Sequence, residues 1–227
     1  MTMTSQRPAA DARRRAVATA MLLSAFVVAL TVAVLAHPAP FAVDTRWAET
    51  VVQMRSGILT FLAADVLDLV GRFPYYLIVV AVVAFLLYCT RTWTAVVVFV
   101  AAEAVSAATH VLMKAGVGRP RPPDGLVETT ASSFPSGHSA FGAVTAVLVA
   151  GMFTRRGGRA GWVMLAATLA LVMAWSRTYL MVHWLTDVVG GLAAGVAIGL
   201  GGLAYLGSRS HHTGAAASRR SQPGDAE

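Results

Sequence analysis

The sequence predicts an all-α membrane protein, a six-helix transmembrane bundle with an interfacial helix between spans 1 and 2. Three observations predict it. Of 227 residues, 56% are hydrophobic and only 13% charged, about half the charged share of an ordinary soluble domain. Mean hydropathy is +0.64. The apolar residues are gathered into runs whose helical rise matches the thickness of a bilayer core. So little polar surface cannot coat a water-soluble globule of this size. A cytosolic enzyme and a disordered tail protein are excluded, and the length fits one domain.

The elements follow in order. Residues 1–15 are polar and end in Arg13, Arg14 and Arg15; they read as a cytoplasmic tail. The first apolar run, 16–36, exceeds the roughly 7–15 residues of a signal-peptide core, so it reads as an uncleaved span despite Val34-Leu35-Ala36 at its end. Residues 49–70 are amphipathic, with Asp65 and Asp68 among Val51, Ile58, Leu62, Val66 and Leu69. This segment reads as an interfacial helix or a cap. Further spans are expected at 74–89, 93–113, 139–153, 161–175 and 188–206. Gly191, Gly195 and Gly199 in the last of these form a small-residue face that lets helix backbones approach. From Gly207 the chain is polar and reads as a disordered cytoplasmic tail, leaving 16–206 as the membrane domain. His211 and His212 read as solvated, and His37 carries no signal.

Net charge is +7, yet Lys114 is the single lysine. Arginines clustered between apolar runs are topology signals and sites for anionic lipid rather than a nucleic-acid face. With the N-terminus inside, the cytoplasmic segments hold 11 cationic residues and the outer ones 7, of which Lys114, Arg119, Arg121 and Arg177 are the site candidates below. The loop 114–138 and the segment 176–187 then face away from the cytoplasm of an inner membrane. Cys89 is the one cysteine, so the chain can form no intrachain disulfide.

The outer loop reads Lys114-Ala-Gly-Val-Gly-Arg119-Pro120-Arg121-Pro122 and runs on to Phe134-Pro135-Ser136-Gly137-His138. Ser136, Gly137 and His138 open the fourth span, where free backbone N–H groups form an anion site. The second outer segment holds Arg177, His183 and Asp187. His183 and Asp187 are four residues apart, and a carboxylate behind an imidazole fixes its tautomer and supports the charge that develops on attack. Lys114, Arg121 and Arg177 suit phosphoryl oxygens, Arg by forked donors and Lys as a point charge. Arg119 joins this set, with capping the loop or pairing with a lipid headgroup as the alternative. His138 suits a general acid. No outer carboxylate cluster could hold Mg²⁺, so metal-free phosphoryl transfer without a cofactor is the expected chemistry.

Lys114-x6-Arg121-Pro122, Pro135-Ser136-Gly137-His138 and Ser176-Arg177-x5-His183-x3-Asp187 closely resemble the three-part signature of the type-2 phosphatidic acid phosphatase superfamily. The resemblance implies an integral-membrane lipid phosphatase. It implies that His183 forms a phosphohistidine oriented by Asp187 and that His138 protonates the leaving group. It further implies that Lys114, Arg121, Ser136, Gly137 and Arg177 bind phosphate. The partners expected are a lipid phosphate and membrane lipids, with no nucleic acid. The lipid is a polyprenyl pyrophosphate, a phosphatidate or a phosphatidylglycerophosphate.

Two other classes compete. A six-span anion transporter or channel would place polar residues across the bilayer, whereas here Glu103 and His110 are the ionisable residues well inside a span. A haloperoxidase would share the anion pocket but be soluble. Glu103, Ser106, His110 and Lys114 form one stripe of the third span, either a seam that positions Lys114 or a proton path or headgroup contact. Tyr179 and Trp184 read as interface anchors or as lining of the lipid entrance.

Overall fold

A computed structural model describes residues 6–68, 75–129, 131–153 and 159–220, all helical or irregular. The helices are α1 (Gln6–Ala36), α2 (Ala42–Gln53), α3 (Gly57–Phe61), α4 (Tyr75–Thr90), α5 (Trp93–Val117), α6 (Gly137–Phe153), α7 (Arg159–Tyr179) and α8 (Leu185–Arg220). Four of them contain stretches long and apolar enough to cross a membrane: Ala10–Ala36, Trp93–Val117, Ala160–Tyr179 and Leu185–Ser208. Among the described residues, the bent pair Ala42–Gln53 and Gly57–Leu67 would make a fifth if it is one span, and the shorter apolar helices Val79–Thr90 and Gly137–Phe153 pack against these.

The outside of this bundle is as apolar as its core. Leu22, Leu112 and Met164 are more than two-thirds exposed, at 73%, 72% and 69%, which is the surface a protein presents to hydrocarbon. Inside, α6 packs on both α7 and α8, and α1 packs on α8. One core gathers Leu86, Val96, Phe99, Val144 and Leu148 between α4, α5 and α6.

Glycines set the spacing of α6 and α8. A Cβ at Gly191 would stand 2.3 Å from the carbonyl oxygen of Ser136, and one at Gly195 2.3 Å from that of Ala140. Helix backbone thus touches helix backbone, as the small-residue face implies. This contact holds the start of α6 against α8.

Where the sequence suggests one helix over 49–70, the structure has two arms. The chain breaks after α2 and turns through 117° into α3, which runs on as a π-type segment, Leu62–Leu67. Residues 69–74 lie outside the described residues. Val51 and Ala63 from these arms pack on Tyr179, Leu180 and Val182, so the segment caps the end of the bundle where α7 stops. Ser56 begins the second arm by accepting the Leu59 N–H on its side chain, a cap that hydropathy does not reveal. The tail also differs from its reading: α8 continues past Gly207 to Arg220, in a stretch where no proline occurs before Pro223.

The glycine contacts make a direct test. Gly195→Val drives a side chain into the α6 backbone and should lower the melting temperature in detergent markedly, at a cost of about 1–3 kcal/mol or more. Gly201→Ala, where a Cβ meets nothing within 4 Å, should leave it unchanged. Equal melting temperatures for both variants would refute the backbone-to-backbone packing.

Candidate active site

Two chain reversals and one helix start build the site. Helix α5 ends on Gly118, whose left-handed φ of 63° turns the chain out of the helix while its N–H bonds the Lys114 carbonyl. Helix α7 ends in a Schellman pattern: Val182 N–H bonds the Arg177 carbonyl and Met181 N–H that of Thr178. Met181 takes φ 52°, an uncommon conformation for a side chain of this size. The chain is thereby turned back so that His183 lies under the start of α6. Helix α8 then opens with Asp187 at its third position, where Oδ2 accepts the Trp184 N–H at 2.8 Å, half of a capping box.

These turns surround a cavity of about 380 Å³. Lys114, Arg121, Gly137, His138, Arg177 and His183 all line it. The cations are held by acceptors around the rim. Lys114 Nζ donates to the Ser132 carbonyl at 3.0 Å. Arg121 Nε donates to the Ala131 carbonyl at 2.7 Å, and its Nη1 to that of Val182. Arg177 Nη1 pairs with Asp68 Oδ1 at 2.6 Å. At the start of α6 the amides of Gly137 and His138 have no carbonyl in the preceding turn to bond.

His183 is 4% exposed, and its Nδ1 lies 3.7 Å from Asp187 Oδ2. That is an ion-pair separation, too long for a hydrogen bond, and among the described residues Nδ1 has no bonding partner. Burial lowers the pKa of His183 below the usual imidazole value; Asp187 opposes this, and Arg121 and Lys114 add to it. The ring therefore stays neutral, with a free lone pair, below the pH at which an ordinary histidine protonates. His138 Nε2 is likewise buried without a partner. Two unpaired imidazoles facing three cations can carry out nucleophilic attack on, and proton donation to, a bound phosphoester.

Two expected phosphate contacts lie behind the cavity wall. Arg119 is 1% exposed and spends its guanidinium elsewhere. Nη1 pairs with Asp187 Oδ1 at 2.5 Å and Nη2 with Asp44 Oδ2 at 2.8 Å. Nη1 also donates to Thr186 Oγ1 at 2.7 Å. The sequence grouped Arg119 with the phosphate ligands, with loop capping or a lipid headgroup as the alternative; two buried carboxylates draw it to the other side. Ser136 is fully buried: its N–H donates to the Asp187 carbonyl at 3.0 Å and its Oγ accepts from Ser139 Oγ at 3.0 Å. Tyr179 and Trp184 are not interface anchors. Both are buried, with Tyr179 Oη bonded to Ser56 and Thr60 and Trp184 Nε1 to the Pro120 carbonyl.

Asp44 and Asp68 were not singled out as site residues. Asp44 is 1% exposed and accepts from Arg119, from the Thr186 N–H at 2.8 Å and from the Phe41 N–H at 3.0 Å. With only 11 acidic residues in the chain, an aspartate in the first turn of a helix was the available signal. Among the described residues, no three His, Cys, Asp or Glu side chains are grouped to hold a metal ion.

A family model described as the PAP2 superfamily matches residues 92–210. The fold is similar to that of a transmembrane PAP2-type phosphatidylglycerolphosphate phosphatase from Bacillus subtilis. The two share 24% identity and a TM-score of 0.70, over 86% of this chain and 96% of that one. It is also similar to Aquifex aeolicus LpxE, at 20% identity and TM-score 0.61, over 72% of this chain and 96% of that one. No curated protein sequence matches.

The placement of Arg119 behind Asp187 has a measurable consequence. Asp44→Ala leaves one arm of a buried guanidinium unpaired, a loss on the order of 3–5 kcal/mol for a broken buried pair. The variant should melt earlier and turn over a small phosphate ester more slowly. Its KM should move little, because the cations lining the cavity are untouched. Wild-type kcat in a folded Asp44→Ala protein would show that the network does not position Asp187.

Proposed function

The chain belongs to the PAP2 superfamily, and from that membership and its membrane-type helices we propose that it hydrolyses a lipid phosphate or pyrophosphate through a phosphohistidine, without metal, at the extracytoplasmic face of the inner membrane. One observation carries the reading: His183, with Asp187 behind it, shares a cavity with His138 and the three cations Lys114, Arg121 and Arg177. The proposed membrane domain is 16–206, between cytoplasmic tails 1–15 and 207–227, and the orientation rests on the bias of arginines toward the cytoplasmic segments.

In this mechanism Lys114, Arg121 and Arg177 neutralise the phosphoryl oxygens, together with the amides at the start of α6. His183 Nε2 attacks phosphorus in line with the leaving oxygen. The ring becomes cationic as the N–P bond forms, and Asp187 stabilises it through Nδ1–H. His138 gives its proton to the departing alkoxide, so the lipid alcohol leaves neutral. Water then enters, His138 takes a proton from it, and attack on phosphorus frees inorganic phosphate and His183. Asp187 keeps its charge throughout, because Arg119 holds its other oxygen. Substrates of this chemistry include polyprenyl pyrophosphate, phosphatidate and phosphatidylglycerophosphate, the last resembling the substrate named for the Bacillus subtilis neighbour.

Phosphate release by the purified protein from these lipids should persist in EDTA. Activity that vanishes in chelator and returns with Mg²⁺ would contradict the mechanism. His183→Ala should abolish turnover of every substrate. His138→Ala should cost about 10²–10⁴-fold on an alkyl monophosphate and much less on an aryl phosphate, whose leaving group needs no proton. Equal losses on both esters would overturn the assignment of His138 as the acid.

A further inference from the structure

The cavity has a wall that the phosphoryl chemistry does not use. Glu103, Ser106 and His110 line it from α5, on the stripe that ends at Lys114. His110 is about one turn from Lys114 and Glu103 about two turns deeper. Glu103 is 6% exposed. Its Oε1 accepts from Thr145 Oγ1 at 2.9 Å, while Oε2 is buried with no partner among the described residues. A buried carboxyl oxygen left unpaired is costly, and a hydroxyl on a ligand would relieve that cost, since it can both donate and accept.

His110 points to the same conclusion from a different atom. Its Nδ1 lies 3.2 Å from the Ser106 carbonyl oxygen. A carbonyl can only accept, so Nδ1 carries the proton, and the neutral ring keeps Nε2 as an acceptor. That nitrogen sits at the start of α6: a Cβ on Gly137 would stand 3.3 Å from it. Gly137 and His138 line the cavity beside it.

Lys114, Arg121 and Arg177 supply the cations of the cavity, while two other polar atoms on its α5 wall, the acceptor His110 Nε2 and the unpaired carboxyl oxygen Glu103 Oε2, are not used by them. Phe141, Met173 and Val182 supply the apolar remainder. A phosphoester with a bare hydrocarbon leaving group would leave both polar atoms unsatisfied. We infer that the α5 wall is a headgroup subsite selecting lipid phosphates whose leaving group carries a hydroxyl or amine beside the phosphoester, with His110 meeting the donor nearest the ester and Glu103 one further along. This rests on the lipid-phosphatase reading and changes no chemical step. It narrows the substrate to phosphorylated polyols or amino alcohols and disfavours polyprenyl pyrophosphates, which carry no such donor.

The test compares kcat/KM for lysophosphatidate, which has a free hydroxyl on the second carbon, with that for its 2-deoxy counterpart of the same acyl chain. Wild type should prefer the hydroxylated substrate by about ten-fold or more. His110→Phe, which keeps a ring but removes the acceptor, should bring the ratio close to one. On a substrate with a longer polyol, Glu103→Leu should lose more of the preference than Glu103→Gln, which keeps a carbonyl oxygen. Equal wild-type kcat/KM for the matched pair would overturn the subsite and leave the phosphatase reading standing. Variants that slow both substrates by one factor would also count against it, because a structural role acts that way. Failure of wild type to release phosphate from any lipid would sink both readings.

Discussion

Asp187 and Arg119 meet with both side chains fully buried, at 2.5 Å. Asp44 holds the other arm of the guanidinium, also out of solvent. A carboxylate removed from water this completely stays ionised only beside such a partner. Each of its oxygens is committed: Oδ1 to Arg119 and Oδ2 to the Trp184 N–H, with His183 Nδ1 close by. One ion network therefore joins α2, the loop after α5 and the start of α8, and His183 is aimed from its middle. The cap formed by residues 42–68 is part of the site's construction through Asp44 and through the Asp68–Arg177 pair.

The rest of the bundle keeps that network in register. Gly191 and Gly195 bring α8 against the first turn of α6, which carries Gly137 and His138. The Ser136 N–H bonds the Asp187 carbonyl across the same junction. The two histidine-bearing segments are thus joined by backbone contacts, and their separation does not depend on flexible side chains. Preorganisation of this kind is what electrostatic stabilisation of a phosphoryl transfer requires.

The bundle was legible in the sequence because lipid imposes a simple rule: long apolar runs become helices that satisfy their own backbone. The cavity residues Lys114, Arg121, Gly137, His138, Arg177 and His183 were legible because chemistry-bearing side chains are scarce in so apolar a chain. Arg119 was misplaced because neighbours in sequence need not share a wall. Its true partner, Asp44, lies 75 residues away, and no local pattern joins the two. The break between α2 and α3 was hidden because amphipathic spacing continues across it, while the second arm is started by the Ser56 cap. Tyr179 and Trp184 resembled interface aromatics by composition, but their polar atoms bond inside the protein.

The central claim is that His183, held by the Asp187–Arg119–Asp44 network, takes the phosphoryl group onto its ring. The most direct measurement is mass spectrometry of peptides from the purified protein, quenched in base during turnover, which preserves phosphohistidine. The account predicts phosphate on the peptide containing His183 in wild type and none in His183→Ala. His138→Ala should still carry it when an aryl phosphate is the substrate. Phosphate found on His138 instead, with His183 unmodified throughout turnover, would contradict the account.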